Sequence, residues 1–330
     1  MPSKPYYIII AEATIIIVLT AVLISSHLSR NDKTTSGLLS PRVYQGIIKP
    51  KSFLIVNYAP LKNSIESFIK GNNLTVSVYV ENLRTGAFIG INEREGYPPA
   101  SLNKVLVAML VMKEVEDGKL SMDSMIDIKE EDRSNTFGTL YKTPGKKLPL
   151  RLLMEKMLKE SDNSAFNTLN RLPEEHNKAL VMTYLDYYSD DSPDATKPGE
   201  DSANGLVTPK SIYNVFSSLY LSTVLRPESS EYILSQLTDT VFDIKELANL
   251  PENVTIAQKF ATKYDGNGQF YHNCGIIYSG EMRLFYCIMT KDIEKVSAEK
   301  VIGAIVKSIY SYATDTRKTL DYYRDLYNYD

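Results

Sequence analysis

The chain has 330 residues, with 37 basic against 40 acidic side chains and a formal charge of −3. That length fits one large domain or two small ones, and the balanced charge excludes the basic excess by which proteins bind nucleic acid. Three histidines and two cysteines are present, none clustered with acids at zinc-ligand spacing, so no metal or other cofactor is expected.

Residues 1–28 stand apart as a membrane anchor or signal segment. Lys4 precedes an apolar run from Tyr6 to Ile24 broken only by Glu12, and Arg30 and Lys33 follow. No small-residue cleavage site follows the run, which favours an uncleaved single-pass anchor. Basic residues flank both sides and do not orient it; an extracytoplasmic domain on the cell membrane is expected. Residues 29–52, rich in Ser, Thr, Asn, Asp, Gly and Pro, read as a linker, and the globular part begins at Phe53.

Leu61 to Ile69 has helical spacing. Leu74 to Glu81 and Ala87 to Asn92, joined through Arg84-Thr85-Gly86, read as a hairpin. Pro98 and Pro99 end whatever precedes them, and Val105 to Met112 is apolar without interruption. A helix there is buried nearly all round, and it should stop near Asp117-Gly118. The next clear helix is Leu150 to Leu158. From Leu172 to Leu206 the chain is polar and irregular, as expected of a functional or a disordered loop. Helices resume at Thr208-Pro209 and Ser229.

Three strands come next, Val254 to Phe260, Tyr271 to Tyr278 and Arg283 to Met289, the last two joined by Ser279-Gly280-Glu281. An amphipathic helix from Val296 to Ala313 closes the fold, and residues 316–330 form a tyrosine-rich tail. This order implies an α/β (α+β) protein with one five-stranded antiparallel sheet assembled from both ends of the chain, flanked by N- and C-terminal helices, with a helical insert. No internal repeats are present. If Gly280-Glu281 is a two-residue turn, Ser279 faces Met282 and Cys274 faces Cys287 in a close pair with Cα atoms about 4.5 Å apart. Both a cross-strand disulfide and two packed thiols fit that register.

Three short stretches carry chemistry. Ser101 lies at a helix start, where unpaired backbone N–H groups and the dipole favour negative charge, and Lys104 projects from the same face. A serine beside a lysine suits nucleophilic catalysis, although a lone S-x-x-K is more commonly an N-cap and a surface lysine. Glu160-Ser161-Asp162-Asn163 by itself reads as an N-cap cluster, and Lys259 by itself as a solvent-facing or edge strand lysine. No Ser-His-Asp arrangement is found.

In this order and these contexts, the three stretches resemble the S-x-x-K, S-D-N and K-T-G motifs of the class A β-lactamase and penicillin-binding protein superfamily. The resemblance spans residues 60–312, including Gly138-Thr139-Leu140, Leu150 to Met154, Leu250-Pro251 and Gly275 to Tyr278. It implies a β-lactamase/transpeptidase-like catalytic domain over 53–315, with an α/β part (53–100 and 225–315) packed on an all-α part (101–224) and the site between them. It implies Ser101 as acylated nucleophile, Lys104 as proton acceptor, Ser161 as proton relay and Lys259 as the group that holds Ser161 and attracts the substrate carboxylate. Asn163 would bind the substrate amide, and the N–H groups of Ser101 and Thr262 would form the oxyanion hole. Burial beside the Lys259 ammonium would lower the pKa of Lys104.

Two departures stand out. Lys259-Phe260-Ala261 replaces K-T-G, leaving Thr262 as a substitute hydroxyl. The E-x-x-L-N pattern of class A β-lactamases is absent from residues 172–206, where Asp190, Asp191, Asp194, Glu200 and Asp201 are the acids present. The expected function is that of a monomeric serine hydrolase acting on an amide bond through an acyl-enzyme, β-lactamase-like. The alternatives are a penicillin-binding D-Ala-D-Ala carboxypeptidase or transpeptidase and a non-catalytic wall-binding homologue. Partners are a β-lactam or a peptidoglycan stem peptide, and the membrane.

Overall fold

The computed structural model describes residues 57–143, 145, 147–187, 205–266 and 268–327. The N-terminal apolar segment, the linker and the acids between 190 and 201 lie outside these residues. Among the described residues no helix is long and apolar enough to cross a membrane.

Helix α1 (Ala59–Gly71) starts with Pro60 in its first turn and buries Leu61, Ile65 and Ile69 at four-residue spacing. Strands β1 (Thr75–Asn82) and β2 (Phe88–Ile91) form the expected hairpin. A 3₁₀ turn, Ala100–Leu102, runs directly into α2 (Asn103–Glu116). Val105 to Met112 are all at most 5% exposed, so the uninterrupted apolar run is a central helix, each of its larger side chains adding about 1.5–3 kcal/mol of transfer free energy. A two-stranded ribbon, β3 (Met125–Asp127) with β4 (Lys147–Pro149), leads into α3 (Leu150–Lys159) and α4 (Asn163–Asn170).

The stretch after Leu172, expected to be irregular, contains helix α5 (Glu175–Leu185). Its apolar face is weak, since Leu180 and Tyr184 are exposed and only Val181 and Leu185 are buried apolar contacts. It is held by a polar anchor from α2. The buried Glu114 carboxylate accepts from Glu174 N at 3.0 Å and Asn177 Nδ2 at 2.9 Å, a contact that no local pattern announces.

Helices α6 (Pro209–Leu221) and α7 (Pro227–Gln236) follow, α6 with a capping box on Thr208 and Ser211. α7 packs on α2, α3 and α6. The short α8 (Ile244–Ala248), five residues capped by Asp243, is below the length at which periodicity can be read. The late strands are longer than expected: β5 (Thr255–Asp265), β6 (Gly268–Ser279) and β7 (Met282–Lys291). The β5–β6 pairing continues to Asp265 opposite Gly268, beyond the apolar residues that mark the strands in sequence. Helix α9 (Lys295–Tyr327) likewise continues through residues expected to form a separate tail.

The sheet has the order β2-β1-β7-β6-β5 with every pairing antiparallel, so the early hairpin joins the three late strands where β1 pairs with β7. Alternation sorts the side chains into two cores. Val76, Val78, Ile256, Ile277 and Ile288 pack under α1 and α9. Tyr79, Ala257, Ala261, Cys274, Phe285 and Cys287 pack under the helical insert. Ser279 faces Met282 and Cys274 faces Cys287, as the turn arithmetic requires. Of the two alternatives for the cysteines, the structure has the disulfide, fully buried, with Cα atoms 3.9 Å apart.

Candidate active site

The segment Tyr97-Pro98-Pro99-Ala100 delivers Ser101. Tyr97 bridges to Val207 through two backbone hydrogen bonds of 2.8 and 2.9 Å, and Ala100 adopts a left-handed conformation with φ +46°, a state that an L-residue keeps only when its surroundings impose it. Ser101 sits in the 3₁₀ turn rather than at a helix cap. Because the turn continues into α2, Lys104 follows one turn on and its Nζ donates to Ser101 Oγ at 2.9 Å and to Asn163 Oδ1 at 2.7 Å. The Phe166 ring lies beneath the ammonium, 5.1 Å from Nζ to its centroid. Lys104 is 3% exposed. Burial lowers its pKa to about 8, opposed by the negative charge of Asp162.

The second motif closes on the first from the α3–α4 junction. Ser161 is held at φ +56° and its hydroxyl donates to Ser101 Oγ at 3.1 Å. Asp162 is wholly buried and caps α4 by accepting from Ala165 N at 2.9 Å. Its other carboxylate oxygen accepts from Thr139 N at 2.6 Å and Leu140 N at 2.9 Å, which ties the loop 137–140 to the motif. Asn163 Nδ2 donates to Thr136 Oγ1 at 2.7 Å, so the amide is oriented from both ends, by Thr136 and by Lys104. Gly138 (φ +91°) is required for this approach. A Cβ there would stand 2.0 Å from Asp162 Oδ2. Gly138→Ala is therefore expected to lose about 3 kcal/mol in urea unfolding, while Gly71→Ala, where nothing lies within 4 Å, loses little.

Lys259 comes from β5, the sheet edge that packs against the Ser101 turn. Of the two readings of a lone strand lysine it is the edge residue, on β5, and not the solvent-facing one, being 2% exposed; burial together with repulsion from Lys104 holds its pKa well below the ordinary lysine value. The expected bond from Lys259 to Ser161 is not formed among the described residues; Nζ instead donates to the Leu158 carbonyl at 3.3 Å, gripping the end of α3 three residues before Ser161. The expected repulsion between the two ammonium groups falls on Lys259, whereas Lys104 is lowered by burial.

Alternation puts Ala261 on the Lys259 face and Phe260 and Thr262 on the other. Phe260 stacks on Phe242, centroids 4.0 Å apart, and Thr262 pairs with Tyr271 of β6 on that same face, so its hydroxyl does not stand in for the missing threonine beside Lys259. Its backbone is placed differently. Gln258 N donates to Leu237 O across the open edge of β5, and residues two and four further on point their N–H groups to that same edge, so Thr262 N–H faces the side on which the Ser101 turn lies.

Residues 60–313 match the model of a family described as the β-lactamase enzyme family. The chain belongs to the β-lactamase enzyme family. It is similar to β-lactamase VEB-1 of Pseudomonas aeruginosa, 23% identical over 265 residues that cover 75% of this chain and 88% of the relative. A β-lactamase of Bacteroides uniformis is 31% identical over 113 residues, 33% of this chain and 38% of that protein. Among solved structures, the TLA-3 extended-spectrum β-lactamase superposes with a TM-score of 0.68 at 21% identity, covering 78% of this chain and 99% of that one. The L158E mutant of PBP-A, solved as an acyl-enzyme complex with penicillin G, superposes at 0.64 with 20% identity, covering 76% and 96%.

For a β-lactamase family member, several residues that build the site carry no sequence signal of their own. Thr136, the Leu158 carbonyl and Phe166 enter only through folding. Gly138 was legible as part of the resemblance but not as the clearance for Asp162. No carboxylate is hydrogen-bonded to Ser101, Lys104 or Ser161 among the described residues, and the acids at 190–201 fall outside them.

Proposed function

We propose that the protein is a serine β-lactam hydrolase working through an acyl-enzyme at Ser101. The observation that carries the reading is Ser101 Oγ held between Lys104 Nζ at 2.9 Å and Ser161 Oγ at 3.1 Å. Neutral Lys104 takes the hydroxyl proton as Oγ attacks the lactam carbonyl, and the oxygen that becomes negative is received by the N–H groups of Ser101 and Thr262. Ser161 passes a proton to the departing nitrogen, Asn163 binds the side-chain amide, and Lys259 attracts the substrate carboxylate. The grouping of an α/β part (53–100 and 225–315) with an all-α part (101–224) around this site belongs to the same reading.

We place the domain outside the cytoplasmic membrane, tethered by residues 1–28. The Cys274–Cys287 disulfide supports an oxidising compartment.

The test is intact-mass analysis during reaction with a fluorescent penicillin. A transient adduct on the Ser101 peptide followed by steady drug hydrolysis is expected. Absence of any adduct overturns the reading, and an adduct that never decays makes the protein a penicillin-binding protein without turnover. A steady rate that collapses in Glu200→Gln or Asp201→Asn would locate the base that activates the deacylating water.

A further inference from the structure

We propose that His272 is a positioning residue for the nucleophile, its Nε2–H holding the Pro98 carbonyl and so fixing the turn that presents Ser101. The inference rests on Ser101 being the nucleophile.

Pro98 and Pro99 have no N–H, so the approach to the turn can be tied down only through its carbonyls. Pro99 O is used within the turn, accepting from Leu102 N at 2.9 Å. Pro98 O is the one that reaches the sheet, where His272 Nε2 lies 3.1 Å away. Just upstream, Tyr97 is fixed by Val207 and by its hydroxyl against Ser77 Oγ at 2.8 Å, and just downstream α2 is buried. Between these fixed points lies Ala100 at φ +46°, a conformation that relaxes unless its neighbours are held.

His272 is suited to that task by its place. It stands on β6 opposite Ala261 of β5 and Met289 of β7, on the face that looks toward the nucleophile, and it is fully buried. Its ring meets Tyr97 edge-on, centroids 5.5 Å apart and planes at 81°. Burial pushes its pKa down to about 4, against the pull of the Pro98 carbonyl, so the ring is neutral at physiological pH with one proton to give. A carbonyl partner requires that proton on Nε2. Nδ1 is buried without a hydrogen-bond partner. An apolar side chain would fill the space without that desolvation cost, so the Pro98 bond is what the imidazole supplies.

The experiment compares the parent chain with His272→Leu and His272→Gln. Leucine keeps the bulk without a donor, and glutamine restores an N–H at a reach similar to Nε2. The rate of Ser101 modification is followed by intact mass with a fluorescent penicillin and, in parallel, with an alkyl fluorophosphonate. His272→Leu is expected to slow the limiting rate with both reagents at least about tenfold, with the half-saturating penicillin concentration unchanged within about twofold, and His272→Gln to recover to within about threefold of the parent. Leucine reacting like the parent, or glutamine as slow as leucine, overturns the proposal. Nitrogen NMR of the imidazole in the full chain gives a second reading, with the proton expected on Nε2; a proton on Nδ1 alone also overturns it. If penicillin fails on the parent while the fluorophosphonate reacts, the substrate reading fails and the fluorophosphonate rates still decide the role of His272. If neither reagent modifies Ser101, the nucleophile assignment and this role fall together.

Discussion

Ser101→Ala is expected to abolish covalent labelling by β-lactams and by activated esters, with no residual slow phase. Oγ is the only atom that the substitution removes, and it is the point on which Lys104 Nζ and Ser161 Oγ converge. No second hydroxyl takes over the position, because Ser161 is fixed at φ +56° at the α3–α4 junction and reaches Ser101 only as its hydrogen-bond donor, outside the turn that carries the nucleophile. The loss in acylation should therefore reach the detection limit, beyond the factor of about a hundred to ten thousand that a single acid or base supplies. Folding should survive, since Ser101 is only partly buried in its turn and a small surface-proximal truncation usually shifts stability by less than about 1 kcal/mol. Labelling that persists in Ser101→Ala, mapped by peptide mass to another residue, would remove the assignment.

Lys104→Ala is expected to slow acylation by at least about a hundredfold, which corresponds to about 2.7 kcal/mol in the barrier. Lysine accepts a proton only when neutral. With burial setting its pKa at about 8, the neutral fraction grows about tenfold per pH unit below that value and saturates above it. Acylation of the parent should thus climb between pH 6 and 8 and level off near pH 9. In Lys104→Ala the climb should vanish along with the rate. Lys104→Arg should be equally slow despite keeping the positive charge, because a guanidinium does not lose its proton in this range. A pH profile that keeps its slope in Lys104→Ala would mean that another group takes the proton. The substitution also deprives Asn163 Oδ1 of its donor, so thermal melts and the affinity for penicillin must be read beside the rate.

What the sequence determined about this protein is the part that depends on local chemistry and short-range order. The apolar run Val105 to Met112 could only be an interior helix. The Gly280-Glu281 turn set a register in which Cys274 had to face Cys287, because a two-residue hairpin leaves no freedom in pairing. S-x-x-K, S-D-N and the strand lysine singled out Ser101, Lys104, Ser161, Asn163 and Lys259 only together, through the family resemblance, since each stretch by itself reads as a cap or an ordinary strand residue.

Tertiary structure decided the rest, for reasons of distance along the chain. Helix α5 has little amphipathic pattern and exists through Glu114, some 60 residues upstream. The partner of Lys259 is a backbone carbonyl, Leu158 O, and every residue carries one, so no residue type could have announced it. The face of Thr262, its side chain away from Lys259 and its N–H toward the open edge, follows from strand pairing. Lys104 owes its lowered pKa to burial, a property of the packed whole that no spacing of charges in the sequence contains.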